Sequence, residues 1–200
     1  RGTAPEDSAY YLDGGGIPLV FHFSGLTTVV NTDSVEEVAF LPGNYGVRYG
    51  RTLGGVVDLR FKRDLPETSS SYVSVDVFQA TAFSEQKLGE RTALTVSGRR
   101  SYIDAVLNPL LNGRGISVQA PRYYDLSVRV LHRPSRGGSL DLLMLASDDR
   151  FTFLNDDGAV DLGFTTAFQK LRLRWLRPLG ADWISESTLV AGNEVQSFIF

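Results

Sequence analysis

Two neighbouring stretches, Ser139 to Leu154 and Ala159 to Arg177, alternate apolar and polar residues well beyond the length of an ordinary strand, which is about 5 to 6 residues. In "QKLRLRWLR", Leu171, Leu173 and Trp175 alternate with Lys170, Arg172 and Arg174. A period of two sends successive side chains to opposite faces of a pleated ribbon. In "YYDLSVRVLHR", Tyr124, Leu126, Val128 and Val130 face one way, and Asp125, Ser127 and Arg129 face the other. In "RTALTVSGR", Leu94 and Val96 alternate with Thr95, Ser97 and Arg99. The chain is committed to antiparallel sheet with one apolar face and one face bearing arginines. Alternation alone fits a soluble sheet with its apolar face inward and a membrane barrel with its apolar face outward.

Strand length separates the two. An apolar band about 25 Å tall, crossed at about 40° with a rise of about 3.3 Å per residue, needs roughly 10 residues, so these arms project past it. The connections show a matching asymmetry: "KLGE", "PSRGG" and "PLGAD" are short, whereas "IDAVLNPLLNGRGISVQAPR" is long and irregular. Between the long arms, "NDDG" offers Asp157-Gly158 for a tight hairpin. About seven strands are expected after Ser71, with a kink near Gln79 dividing the first two. An open sheet of that size leaves two edges and is not expected to be stable alone. The chain starts without Met, a basic n-region or an apolar h-region and stops inside "EVQSFIF", so it reads as a piece of a longer protein. Phe198 and Phe200 resemble the terminal signal of outer-membrane barrels, but too few strands precede them.

Composition excludes several classes. A formal charge of -3, with 20 Lys and Arg against 23 Asp and Glu, gives no overall basic field, so no nucleic-acid partner is expected. The absence of cysteine excludes disulfides and thiolate metal sites. No run of eighteen apolar residues provides a transmembrane helix, which says nothing about barrel strands.

The character of the chain changes at "RDLPETSSS", and two domains are expected, 1-65 and 66-200. Before the boundary, "YYLDGGGIP" reads as a strand entering a glycine turn. "NTDSVEEVAFLPG" offers Asp33 or Ser34 as a helix cap, then a strand ended by Pro42-Gly43. "GGVVDLRFKR" alternates Val57, Leu59 and Phe61 with Asp58, Arg60 and Lys62. The order "RG..P.....LDG", then "VEEVAFLPGNYGVRYGRTLGGVVDLRFKR", then alternating strands resembles TonB-dependent outer-membrane receptors. The positions that match the plug motif are Arg1, Gly2, Leu12, Asp13, Gly14, Gly43, Tyr49, Gly50, Gly54, Gly55 and Asp58. Here Gly43, Gly46 and Gly50 are expected to allow backbone turns, and Gly54 and Gly55 a close backbone approach.

The resemblance implies a mainly β chain: the C-terminal part of a mixed α/β plug, followed by the first seven or so antiparallel strands of a transmembrane β-barrel of about 22. It implies uptake of a scarce nutrient, such as siderophore-iron, cobalamin or a glycan, across the outer membrane of a Gram-negative bacterium. The expected partners are the TonB complex of the inner membrane, reached through a segment upstream of this chain, outer-membrane lipid, and a small-molecule or oligomeric substrate. Carried over residue by residue, a plug apex that binds ligand falls on Arg1, Phe21, His22 and Phe23, with packing of Phe21 and Phe23 in the plug core as the alternative. Loop 103–121 is a second candidate. Two departures matter: the family usually has Glu where Ala39 stands and commonly Arg where Pro42 stands, so its polar latch between plug and barrel is not carried over.

Other chemistries find little support. Ser84 to Lys87 spells S-x-x-K without the companion motifs of that hydrolase chemistry. His22 and His132 lie far apart without a nucleophile or metal spacing, and His132 reads as a strand-end residue. No phosphate-cradling or other cofactor motif appears. Asp148, Asp149, Asp156, Asp157 and Asp161 are hard oxygen donors, but their spacing misses a calcium loop and reads as a solvated tip. The lumen-facing Arg99, Asp125, Arg129, Arg172 and Arg174 are expected to pair, the arginines with plug carboxylates and loop carbonyls; attraction of an anionic substrate is the alternative. Rival classes are a non-transporting adhesin or assembly protein on the same scaffold and a soluble sandwich that binds carbohydrate.

Overall fold

The structure, a computed structural model, describes residues 7–22, 25, 27–50, 52–103, 105, 118–154 and 160–199, with the side chains of 118–120, 153–154 and 160–161 left aside. The chain divides into two compact units, Arg1–Asp64 and Leu65–Phe200.

In the first unit, strands β1 (Ala9–Leu12), β2 (Gly15–Ile17), β5 (Val35–Leu41) and β6 (Val56–Phe61) form a sheet in the order β2-β1-β6-β5; β3 (Phe21–His22) and β4 (Thr27–Thr28) pair separately. The β1–β6 pair is parallel and its neighbours are antiparallel. Leu12 pairs with Gly15, and the two residues between them both take positive φ, Asp13 at 48° and Gly14 at 81°. That is the type I′ hairpin turn, whose twist suits two antiparallel strands. In β6, Leu59 and Phe61 are buried, but so are Val56 and Asp58 on the opposite face. The strand is therefore covered on both sides, and its sequence alternation shows only one of them.

Two expectations for this unit are corrected. The cap is Asn31, whose side chain accepts a hydrogen bond from the Asp33 amide at 2.8 Å, and the helix is a single 3-10 turn at Thr32–Ser34. Asp33 and Ser34 lie inside that turn. Of the glycines expected to bend the backbone, Gly43, Gly46 and Gly50 have neither positive φ nor any atom near a would-be Cβ; Asn44, at φ 55°, makes the left-handed step. Gly54 is different, because a Cβ there would stand 2.9 Å from the Asp7 backbone carbonyl. Its own amide donates to Asp7 O at 2.8 Å, so the close approach is held by a hydrogen bond.

The second unit is a meander of seven antiparallel strands in sequence order: β7 (Ser70–Val75), β8 (Gln79–Lys87), β9 (Thr92–Ser101), β10 (Val118–His132), β11 (Ser139–Leu154), β12 (Val160–Pro178) and β13 (Ile184–Ile199). The kink near Gln79 is a reverse turn: Asp76 Oδ1 accepts from the amides of Phe78 and Gln79 at 2.7 and 3.0 Å. Burial alone would raise the Asp76 pKa, but these backbone donors outweigh it and hold the carboxyl below its ordinary value.

Burial in this sheet runs opposite to that of a soluble protein. On β10, Asp125, Ser127 and Arg129 are buried while Tyr124 and Leu126 are exposed; on β11, Asp141 is 2% exposed and its neighbour Leu142 41%. On β12, Arg172 and Arg174 are buried while Leu171, Leu173 and Trp175 face out. The register joins these outward positions into rows, such as Leu94–Val130–Leu142–Leu173–Leu189. A soluble sandwich would bury those rows.

The short connections are tight. Gly138 has φ 87°, and a Cβ would come 2.1 Å from the carbonyl oxygen of Leu176 on β12. Gly138→Ala is expected to destabilise the full-length protein by about 2 kcal/mol or more, whereas Gly98→Ala, with open space at its Cβ, costs less than half as much; urea-unfolding midpoints of the two variants measure the difference.

Candidate functional site

The buried polar face of the seven-stranded sheet holds most of the charged residues expected to face the lumen. Arg99 and Asp125 are directly opposite each other across β9 and β10, and the guanidinium donates to Asp125 Oδ2 from Nε at 3.0 Å, with Nη2 at 2.9 Å. Arg129 makes a forked contact with Asp141, Nε to Oδ1 at 3.0 Å and Nη2 to Oδ2 at 2.8 Å. Arg172, on the other side of β11, places Nη2 3.0 Å from the same Oδ2. Asp141 therefore bridges arginines from both neighbouring strands. Arg174, directly opposite Asp141, turns to Glu186 on β13 at 2.8 Å. Towards the long connections, the buried Tyr123 hydroxyl donates to Gln79 Oε1 at 2.7 Å.

The arginine partners seen here are thus carboxylates of the adjacent strands, where the sequence reading looked for them outside the wall. Asp141 and Glu186 went unnoticed because a partner across strands shows up only once register is known. The "PSRGG" turn held the signal, since it sets Leu131 opposite Asp141. Three carboxylates thus stand against four arginines, so most of their charge is balanced within the sheet, which weakens the argument for their attracting an anionic substrate.

The first unit carries a second polar chain. Tyr49 Oη donates to the buried Asp58 at 2.8 Å, Arg60 Nε stands 3.5 Å from the same carboxylate oxygen, and Arg60 also donates to Glu37 at 2.8 Å. Tyr11 meets Tyr49 edge to face at 5.0 Å and donates to Gly50 O; Tyr45 donates to Thr52 O and Gly54 O. Tyr11 and Tyr49 thus tie the glycine-rich segment to the sheet, and Tyr45 braces the segment from within. Burial, and then the hydrogen bond to Asp58, push the Tyr49 phenol above its ordinary pKa. Asp13 pairs with Arg63 at 3.3 Å.

The candidate plug apex is only partly brought together. Phe21 is 40% exposed, while His22, on the other face of β3, has no exposed surface to offer a ligand. Arg1 and Phe23 lie outside the described residues, as do Gly2, Phe200, most of loop 103–121 and the Asp156-Asp157 tip. Among the remaining acids, Asp148 faces outward and bonds Arg150, whereas Asp149 is buried on the opposite face. Ser84 and Lys87 of the S-x-x-K stretch also point to opposite faces of β8; Ser84 meets Ser71, and Lys87 Nζ donates to Glu67 O. His132 ends β10, with Nδ1 2.8 Å from the Thr92 hydroxyl.

No family model and no curated protein matches the chain. Among solved structures, the ferric enterobactin receptor PfeA in complex with BCV-L6 superimposes with a TM-score of 0.62 at 16% identity, over 98% of this chain and 34% of that one. A double mutant of PfeA from Pseudomonas aeruginosa gives 0.59 at 16% identity, over 97% and 34%. The siderophore receptor PirA from Acinetobacter baumannii gives 0.57 at 16% identity, over 97% and 32%. The chain spans about a third of the length of these receptors and has the fold of that third.

Two expectations follow from the polar contacts. Asp141→Asn leaves two buried guanidiniums short of their shared carboxylate and is expected to cost about 3–5 kcal/mol, against about 0–1 kcal/mol for Glu194→Gln in the exposed Lys170–Glu194 pair; denaturant unfolding of the full-length protein reads both. Because the folded-state pKa of Tyr49 is raised, its contribution is present below the unfolded value of about 10 and is lost as pH rises through the folded one. Urea unfolding followed from pH 9 to 12 should show stability falling, with a shallower slope in Tyr49→Phe.

Proposed function

We propose that this chain, which has the fold of a TonB-dependent receptor over about a third of its length, belongs to an outer-membrane receptor that takes up a scarce nutrient. The observation that carries this reading is the inverted burial of the seven-stranded sheet. A face of Leu, Val, Met and Trp exposed beside a face of buried Arg–Asp pairs suits a wall between hydrocarbon and a plugged or wet interior. The outward band is bounded at one end by the row of Tyr124, Asp148 and Ala167 and at the other by Trp175, eight residues further along β12. That is about 26 Å of strand, or about 20 Å along the membrane normal at a tilt near 40°.

In this reading residues 1-65 are the later part of the plug, and residues 66-200 are the opening strands of a barrel closed by further strands to about 22. β7 and β13, each with a single neighbour, await those strands. Ligand binds the long connections and the plug apex, where exposed Phe21 offers an aromatic surface. Energy from the inner-membrane TonB complex then remodels the plug. The role in this reading is transport, for among the described residues the polar groups brought together form structural pairs.

The full-length protein is expected to fractionate with the outer membrane, and the uptake it supports is expected to vanish when TonB is deleted. Uptake unchanged without TonB would overturn the transport reading and leave an adhesin or assembly role. Growth of a deletion strain on iron chelates, cobalamins and glycans identifies the substrate.

A further inference from the structure

We propose that a second copy of this protein docks within the membrane on the outward face of β12 and β13, through a two-fold contact centred on Gln169 and Asn193; this rests on the membrane reading above. The two residues are directly opposite each other. Both are exposed, and they share the face that carries Leu171, Leu173, Leu189 and Val195. Their row continues through Ala146, Leu126 and Gly98 on the neighbouring strands, so small or apolar residues flank the pair on that side. Gln169 is six residues from Trp175 along β12. That is about 20 Å of strand, or about 15 Å of height, which puts the pair inside the apolar band and one row short of its end.

Two carboxamides at that depth are costly unless something polar meets them. Among the described residues, neither side chain has a hydrogen-bond partner, although the two stand across from each other. Water would satisfy both, whereas hydrocarbon offers neither donor nor acceptor. A single bond between the two would still leave N–H groups of both over. Inside a bilayer, Asn and Gln find such partners on a neighbouring protein segment. The inward face cannot supply one, because Gln169 and Asn193 point away from it.

The chemistry of the pair says why the partner should be a second copy. A carboxamide carries both donor and acceptor, so the pair is its own complement. A two-fold axis along the membrane normal brings Gln169 of one copy to Asn193 of the other, and the reverse, so one contact forms twice. A charged partner finds less here, because the nearest carboxylate on this face, Asp148, is already held by Arg150 at 3.0 and 3.1 Å. An independent feature gives the contact room. A hollow of about 290 Å³ opens beside the pair, bordered by Ala146 and Ala167 and by the polar Asp148, Gln169 and Asn193. Ala146 is directly opposite Gln169, and Ala167 directly opposite Asp148. Their small side chains let the amides of the other copy enter and let two walls approach closely. The polar lining suits an amide better than an acyl chain.

The test uses the full-length protein, freed of any other cysteines, and a short bis-maleimide applied to isolated outer membranes. Ala167→Cys, which leaves both amides intact, is expected to give at least about tenfold more cross-linked dimer than Val128→Cys, which faces out two strands away. Gln169→Leu/Asn193→Leu suits the lipid and so should fold; it is expected to remove that dimer and, by sedimentation equilibrium in density-matched detergent, to weaken association about tenfold or more. Gln169→Asn/Asn193→Gln, which exchanges the two amides, should keep most of it. Equal cross-linking at the two cysteines, or association unchanged in the Leu variant, overturns the proposal. A product whose added mass is not that of one further copy overturns the choice of partner in favour of a different membrane protein. Outer-membrane fractionation is scored separately, so failure of the membrane reading is distinguishable from failure of this one.

Discussion

Asp141 is the point on which the second unit turns. It is buried between Arg129 on one neighbouring strand and Arg172 on the other, so three strands must hold one register for its carboxylate to meet both guanidiniums. A slip of one residue in β11 would carry Asp141 to the outward face, bring Leu142 in, and leave two buried cations unpaired. Pairing inside and apolar rows outside are thus two consequences of one register. The same logic covers Arg99 with Asp125 and Arg174 with Glu186, which extend the lock from β9 to β13.

The first unit depends on a different device. β6 is one of the two inner strands and is buried on both faces, yet Asp58 sits on it. Its charge is tolerable because Tyr49 and Arg60 reach the carboxylate, and Tyr49 brings the glycine-rich segment with it. Tyr11 and Tyr45 bond backbone carbonyls of that segment, and Gly54 lets it press against Asp7. Tyr11 and Tyr49 hold the segment to the sheet, and Tyr45 braces it internally.

What was legible in the sequence follows from which forces act locally. The bounds of β11, and those of β12 to within a residue, were readable because alternation is a property of the strand itself. The direction of burial was not, since a period of two is symmetrical between inside and outside. Strand length argued for an outward apolar face, and burial of Asp141 beside exposed Leu142 shows that sense. Asn31 was passed over as the cap because Asp33 and Ser34 are equally good capping types in the same cluster. His22 was read as a ligand contact from its place in a loop, but pairing in β3 turns it inward. The glycines divided by mechanism: Gly54 is required by a neighbouring backbone, whereas Gly43, Gly46 and Gly50 meet nothing that requires glycine.

The two ends of the long sheet differ for a related reason. At one end the strands return through turns so close that Gly138 touches the backbone of β12, and no room remains for a variable surface. At the other, β10 to β13 run beyond β7 and β8, which close in the short Asp76 turn. Beyond the apolar rows the outward residues cease to be apolar; Arg122, Asp148 and Arg150 appear on the outer face there. The sheet therefore concentrates its freedom to vary at a single end. A wall whose other end is fixed by turn geometry and whose middle is fixed by register can evolve recognition only at that rim.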